Sequence, residues 1–145
     1  MLQQQHSSKT IFLAEDDPDD SILFVEALRE VDPEITVKIS QDGQQLLDIL
    51  YEALMDKPEI IFLDINMPRK NGFECLKEIR GDSSFDDVKV IMLSTSSSRL
   101  HVEVCYKLGA DFYAVKPRTF QDLKEVLRDI LAIDWNAADR NRLDF

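Results

Sequence analysis

Ile60-Ile61-Phe62-Leu63-Asp64-Ile65-Asn66-Met67-Pro68 is the stretch whose reading decides the fold. Four consecutive apolar residues, with no polar alternation and a proline-marked turn behind them, describe a strand buried on both faces in the middle of a parallel sheet. Asp64 stands at the C-terminal end of that strand. In open α/β sheets the crevice outside the carboxyl ends of the strands is where ligands bind, so this carboxylate has a functional reading beside the plain one of opening a turn. The choice between them turns on whether other strands aim polar groups at the same edge.

Upstream, Thr10 to Ala14 is an apolar strand that ends in Glu15-Asp16-Asp17-Pro18-Asp19-Asp20, five acids in six residues. Pro18 suits the first turn of a helix, and the acids around it suit the positive end of the helix dipole. That helix carries Ile22, Val25, Leu28 and Val31 at helical spacing, with Phe24 and Ala27 beside them. Ile35 to Ile39 reads as a short strand, Asp42-Gly43 as a turn, and Leu46, Leu47, Leu50 and Leu54 as the stripe of a second helix. Downstream, Met67 to Gly72 is a loop, and Phe73, Leu76 and Ile79 belong to a third helix ending near Gly81. Val88 to Leu93 is a fourth strand that stops at Ser94-Thr95-Ser96-Ser97-Ser98. Leu100, Val104 and Leu108 then mark a helix that breaks at Gly109. A fifth strand, Asp111 to Val115, leads into Lys116-Pro117, and Phe120, Leu123, Val126, Leu127 and Ile130 stripe a final helix. Strand and helix alternate five times. The connections are too long for hairpins between most strands, which predicts an α/β fold: a doubly wound parallel sheet of five strands covered by five helices. Sequence self-similarity with a period typical of solenoids is absent.

At 145 residues with 44% hydrophobic content, the chain fits one domain. The expected division is a flexible N-terminal lead over 1–8, one domain over 9–132 and a tail over 133–145. The net charge of −11, from 28 acids against 17 bases, argues against nucleic acid as a partner and favours cations or basic protein surfaces. The polar N-terminus lacks a signal core, and no apolar run approaches the roughly 18 residues of a membrane span, so a cytoplasmic location and no membrane contact are expected. Cys75 and Cys105 show no CxxC spacing and read as reduced, half-buried thiols. His6 reads as solvated. His101 and Cys105 sit at i, i+4 but lack two further metal ligands, so the pair reads as incidental.

The polar residues gather at one place. The first strand ends in Glu15 and Asp16, the third in Asp64, the fourth in Ser94 and the fifth in Lys116, and all parallel strands end on one edge. Capping a helix needs one or two acids and one hydroxyl, fewer than either cluster supplies. Repelling carboxylates crowded at a strand end raise one another's proton affinity unless a cation neutralises them, and hard oxygen ligands suit magnesium. A free oxygen of Asp64 is then a nucleophile, and Lys116 with Ser94 can bind the oxygens of an incoming phosphoryl group. Positioning and charge neutralisation are what phosphoryl transfer mainly needs. The plainer reading of Lys116 is a buried salt bridge.

These residues resemble those of bacterial response-regulator receiver domains, over roughly residues 9 to 132. The matching motifs are Glu15-Asp16, then Asp64 followed by Ile65-Asn66-Met67-Pro68 and Asn71-Gly72-Phe73-Glu74, then Ser94 and Lys116-Pro117. The intervals also fit, 30 from Asp64 to Ser94 and 22 from Ser94 to Lys116. The resemblance implies the flavodoxin-like receiver fold and a signalling phosphoacceptor that catalyses only its own phosphoryl transfer and dephosphorylation. It makes Asp64 the acceptor of a phosphoryl group from a sensor histidine kinase or histidine phosphotransfer protein. Asp16, Asp64 and the backbone carbonyl of Asn66 would hold Mg2+ or Mn2+, with Glu15 acting through a water. Lys116, Ser94 and Thr95 would bind the phosphoryl group, and Tyr113 would be the aromatic switch, although its residue type alone also suits a core edge.

Ser94 departs from the commoner Thr, keeping the hydroxyl and losing a methyl group. Asn66 and Ser96 occupy the positions that tune dephosphorylation in the family. The segment between the second and third strands is slightly long. With no output domain after residue 132, a stand-alone receiver acting by protein contact is expected, through the face of the fourth helix, fifth strand and fifth helix. That face, with the tail residues Trp135 and Phe145, could also form a homodimer, or the tail could fold over its own core. Two rivals remain open: a degenerate receiver that works without phosphorylation, and a haloacid-dehalogenase-type phosphatase. The phosphatase needs a second Asp where this chain has Asn66.

Overall fold

The computed structural model describes residues 9–135. The elements are β1 (Thr10–Ala14), α1 (Pro18–Val31), β2 (Thr36–Ser40), α2 (Gly43–Glu52), β3 (Ile60–Asp64), α3 (Gly72–Arg80), a 3-10 turn (Ser83–Phe85), β4 (Lys89–Ser94), α4 (Arg99–Lys107), β5 (Phe112–Val115) and α5 (Phe120–Leu131). All strand pairs are parallel, in the order β2-β1-β3-β4-β5. The chain winds one way from β1 to β2 and the other way from β3 onward. The reversal opens a crevice between the carboxyl ends of β1 and β3, where this topology places ligands. As predicted, the fold is the flavodoxin-like doubly wound sheet with five helices.

The central strand explains its own composition. All five residues of β3 are buried, with Ile61 and Leu63 in one core and Ile60 and Phe62 in the other. One core joins the sheet to α2, α3 and α4 through Leu46, Leu50, Leu76, Ile79 and Cys105. The second joins it to α1 and α5 through Phe24, Leu28, Leu127 and Ile130, and there Phe24 meets Phe62 edge to face with centroids 4.9 Å apart. Each fully buried side chain of this size contributes about 2 kcal/mol, and the aromatic pair somewhat more.

Several local expectations need correction. The inward face of α1 is Ser21, Phe24, Ala27 and Leu28, while Ile22 is 56% exposed. Two positions before Phe24 is about 200° around the helix, so both residues cannot face the sheet. Leu54 lies beyond the end of α2 and is exposed, as is Leu100 on α4, a helix that buries only Cys105 completely. Both cysteines are fully buried rather than half-buried, and burial pushes the thiols of Cys75 and Cys105 up to about 11 and about 12. The edges of β2, β4 and β5 each start one residue later than read from sequence. Trp135 packs against the α1/α5 core. The lead over 1–8, with His6, and the tail residues Leu143 and Phe145 lie outside the described residues. No described helix is long and apolar enough to cross a membrane.

Candidate functional site

Asp64 is the last residue of β3 and is 5% exposed. Its Oδ1 accepts from the Asn66 N–H at 3.4 Å. The start of α3 presses against it: a Cβ on Gly72 would lie 2.5 Å from the Asp64 carbonyl oxygen, and the Gly72 N–H donates to Ile65 at 2.8 Å. Only glycine permits that approach. Asn71 caps α3 and exchanges a capping box with Glu74, so the loop after Asp64 ends at a fixed point. Within that loop Arg69 adopts φ 66°, the left-handed region that costs a side-chain-bearing residue about 1–2 kcal/mol.

The acid run divides by role. Asp17 caps α1, accepting from the N–H groups of Asp19 and Asp20. Glu15, extended from β1 and 4% exposed, points into the crevice, while Asp16 is exposed at its rim. Glu15, Asp16 and Asp64 bring one carboxylate oxygen each within 4.8 Å of one another, the only such group of metal-ligating side chains among the described residues.

Lys116 closes the crevice from the end of β5. Its backbone N–H is tied to Ser94 at 2.8 Å, and its Nζ donates to Glu15 Oε1 at 2.6 Å and Asp64 Oδ2 at 3.3 Å. Burial and the adjacent Asp64 carboxylate push Glu15 up to about 7, with the Lys116 hydrogen bond opposing them. Burial alone would lower Lys116, but its hydrogen bond to Glu15 and the charges of Asp64 and Glu15 raise it above the usual lysine value. One ammonium therefore does not neutralise the carboxylates around it. An all-oxygen, under-neutralised set of this kind suits a hard divalent cation.

Sheet register sets Ser94 beside this group, since Asp64 pairs with Leu93 in β4. Ser94 is 1% exposed, and its Oγ accepts from the Ser96 N–H at 3.0 Å. Ser96 Oγ accepts from the Ser98 N–H at 3.1 Å, whereas Ser98 itself makes no side-chain cap for α4. The hydroxyl run thus forms consecutive turns rather than a helix cap. Tyr113 is turned inward, 4% exposed, with its hydroxyl donating to the Ser96 carbonyl at 2.6 Å. Thr95 is exposed and lines a cavity shared with Glu15 and Lys116, while Asn66 is exposed and Ser96 half-buried. His101 packs its ring on Phe73 with centroids 5.9 Å apart while Cys105 is buried.

The sequence model described as "Response regulator receiver domain" matches residues 11–128. The chain belongs to the response-regulator receiver family. This receiver is 31% identical over 135 residues to Response regulator Rcp1 of Synechocystis sp., covering 90% of this chain and 91% of that one. It is 38% identical over 92 residues to a chemotaxis protein CheY homolog of Campylobacter jejuni, covering 63% of this chain and 69% of that one. Among solved structures, the phosphorylated cyanobacterial phytochrome response regulator RcpA superposes with a TM-score of 0.80 at 30% identity, covering 90% of this receiver and 96% of RcpA. The Mn(2+)-bound form of Rcp1 superposes with a TM-score of 0.77 at 30% identity, covering 90% and 97%.

One contact had no counterpart in the sequence reading of this receiver. Asp20 Oδ2 stands 3.6 Å from Lys116 Nζ. Its only trace in the sequence is a position four residues after Asp16, on the first turn of α1.

Proposed function

We propose that the domain spanning residues 9–132 accepts a phosphoryl group on Asp64 from the phosphohistidine of a sensor histidine kinase or phosphotransfer protein, in the cytoplasm. The observation that carries this reading is the meeting of Asp64, Glu15 and Lys116, brought from three strand ends to hydrogen-bond distance. An Asp64 oxygen attacks phosphorus, the P–N bond to the imidazole breaks, and the imidazole leaves with the electron pair. Asp64 then carries a mixed carboxylic-phosphoric anhydride. Lys116, Ser94 and Thr95 bind the transferred oxygens. Glu15, Asp16, Asp64 and the Asn66 carbonyl would hold a divalent cation, Mg2+ or Mn2+, which supplies charge neutralisation for the phosphoryl group. The manganese in a related receiver structure supports that assignment.

Phosphorylation adds about −1.5 to −2 charges at pH 7. Lys116 and Ser94 answer that charge, and because Ser94 contacts the Ser96 N–H, a shift of its hydroxyl reaches the Tyr113 hydroxyl bond at Ser96. Signalling then runs through the face of α4, β5 and α5, to a partner protein or a second copy. Asn66 and Ser96 set the access of water to the anhydride.

Incubation with Mg2+ and acetyl phosphate should place one hydroxylamine-labile phosphate on the protein, absent in Asp64→Asn. Failure to incorporate phosphate from any donor overturns the reading, and repeated turnover on phosphate esters would replace it with a phosphatase.

A further inference from the structure

Asp20 is an acid that the proposed chemistry leaves unused although it reaches Lys116. It lies in the first turn of α1 with its side chain 48% exposed, and it completes a ring of three carboxylates around Lys116 Nζ. Glu15 follows β1 at 2.6 Å, Asp64 ends β3 at 3.3 Å, and Asp20 stands at 3.6 Å. Glu15 and Asp64 belong to the oxygen cluster suited to a divalent cation, and Asp20 does not. Drawing those two carboxylates toward a double charge weakens their hold on Lys116, and the like charges repel. The Lys116 side chain is only 19% exposed, so an ammonium left there without a partner is costly. Space for it to move is present. Lys116 and Asp20 both line a cavity of about 480 Å³ between α1 and the segment joining β5 to α5, with Leu23, Thr95 and Pro117 also in its lining.

The geometry points to Asp20 as a positioning residue for Lys116: it takes up the ammonium when Glu15 and Asp64 face a divalent cation, and releases it to the phosphoryl group on Asp64. This inference rests on the receiver reading given above. Asp20 lies outside the carboxylate group that would hold the cation, and its influence runs through Lys116.

Titration with Mg2+ of the wild type, Asp20→Asn, Lys116→Met and the double variant tests this directly. Asp20→Asn should weaken Mg2+ binding roughly two- to fivefold more in the wild-type background than beside Lys116→Met, the size of one partly exposed ion pair. Asp20→Glu, which keeps the charge, should recover most of the loss. Asp19→Asn, which removes an equal charge one residue away, should give the same change in both backgrounds. Equal losses for Asp20→Asn in both backgrounds would show that it acts by charge alone and overturn the proposal. A wild-type chain that binds no Mg2+ overturns both this proposal and the metal assignment. Coupling in the titrations without phosphate on Asp64 keeps the Asp20–Lys116 link in the cation-bound chain and removes the phosphoacceptor reading, together with the release step that rests on it.

Discussion

At the scale of single residues, the cost of a buried polar atom depends on its partner. Asp64, Glu15 and Lys116 satisfy one another, and their pairing is the chemistry of the site. Ser40, at the end of β2, is fully buried and its hydroxyl has no hydrogen-bond partner. Removing an orphaned hydroxyl removes a desolvation cost, so Ser40→Ala should be neutral or stabilise by about 1 kcal/mol in urea unfolding; a loss of stability would reveal a partner for the hydroxyl. Residue roles were legible where a strand end fixed direction. Asp64, Ser94 and Lys116 could be placed because strand parity and a shared sheet edge leave little freedom. The division of the acid run was less legible, since capping by Asp17 and the inward turn of Glu15 depend on backbone angles that no local pattern encodes.

At the scale of elements, a clamp at the opposite edge of the sheet holds the scaffold. Arg80, the last residue of α3, donates to the carbonyls of Gly109, Phe85 and Val88 at 2.8, 3.0 and 2.8 Å, and to Asp111 Oδ2 at 2.7 Å. Asp111 also accepts from the Val90 N–H at 2.9 Å. One guanidinium thus joins α3, the 3-10 turn, the approach to β4 and the turn before β5. Gly109 answers it with φ 105°, and a Cβ there would lie 2.7 Å from the Arg80 side chain. Arg80→Met would leave the Asp111 carboxylate buried without its cation and should cost about 3–5 kcal/mol by chemical denaturation. Much less than that would mean the clamp is redundant. Sequence reading saw Asp111 only as the start of a strand, because its partner is 31 positions away. The stripe of α1 is ambiguous in the sequence for a related reason: Ile22 and Phe24 are both apolar, and only the position of the sheet decides between them.

For the whole molecule, the carboxyl edge should couple stability to pH and, through the proposed cation site, to metal. In chelator, the folded chain holds the Glu15 proton up to about pH 7, whereas the unfolded chain releases it near 4.5. The stability contributed by that proton is full below about 4.5 and declines as pH rises to about 7, and Glu15→Gln should flatten the decline. Mg2+ needs the ionised carboxylate, so the rise in Tm on adding Mg2+ should be larger at pH 8 than at pH 6. At a hundred times its Kd the cation contributes about 2.7 kcal/mol. Equal Tm shifts at the two pH values would remove Glu15 from the metal group. The doubly wound topology itself was legible because five strand-helix alternations with long connections admit few arrangements, while contacts between distant elements were not. Those contacts also divide the sheet. Its base is fastened through Arg80, whereas its carboxyl edge carries Ser98 without a side-chain cap and Leu100 at 66% exposure. Local opening should therefore begin at the start of α4. In hydrogen-deuterium exchange the amides of Val102 and Glu103 should label well before those of Leu108 and Ala110, so the edge that holds the Asp64 carboxylate is also the end that breathes.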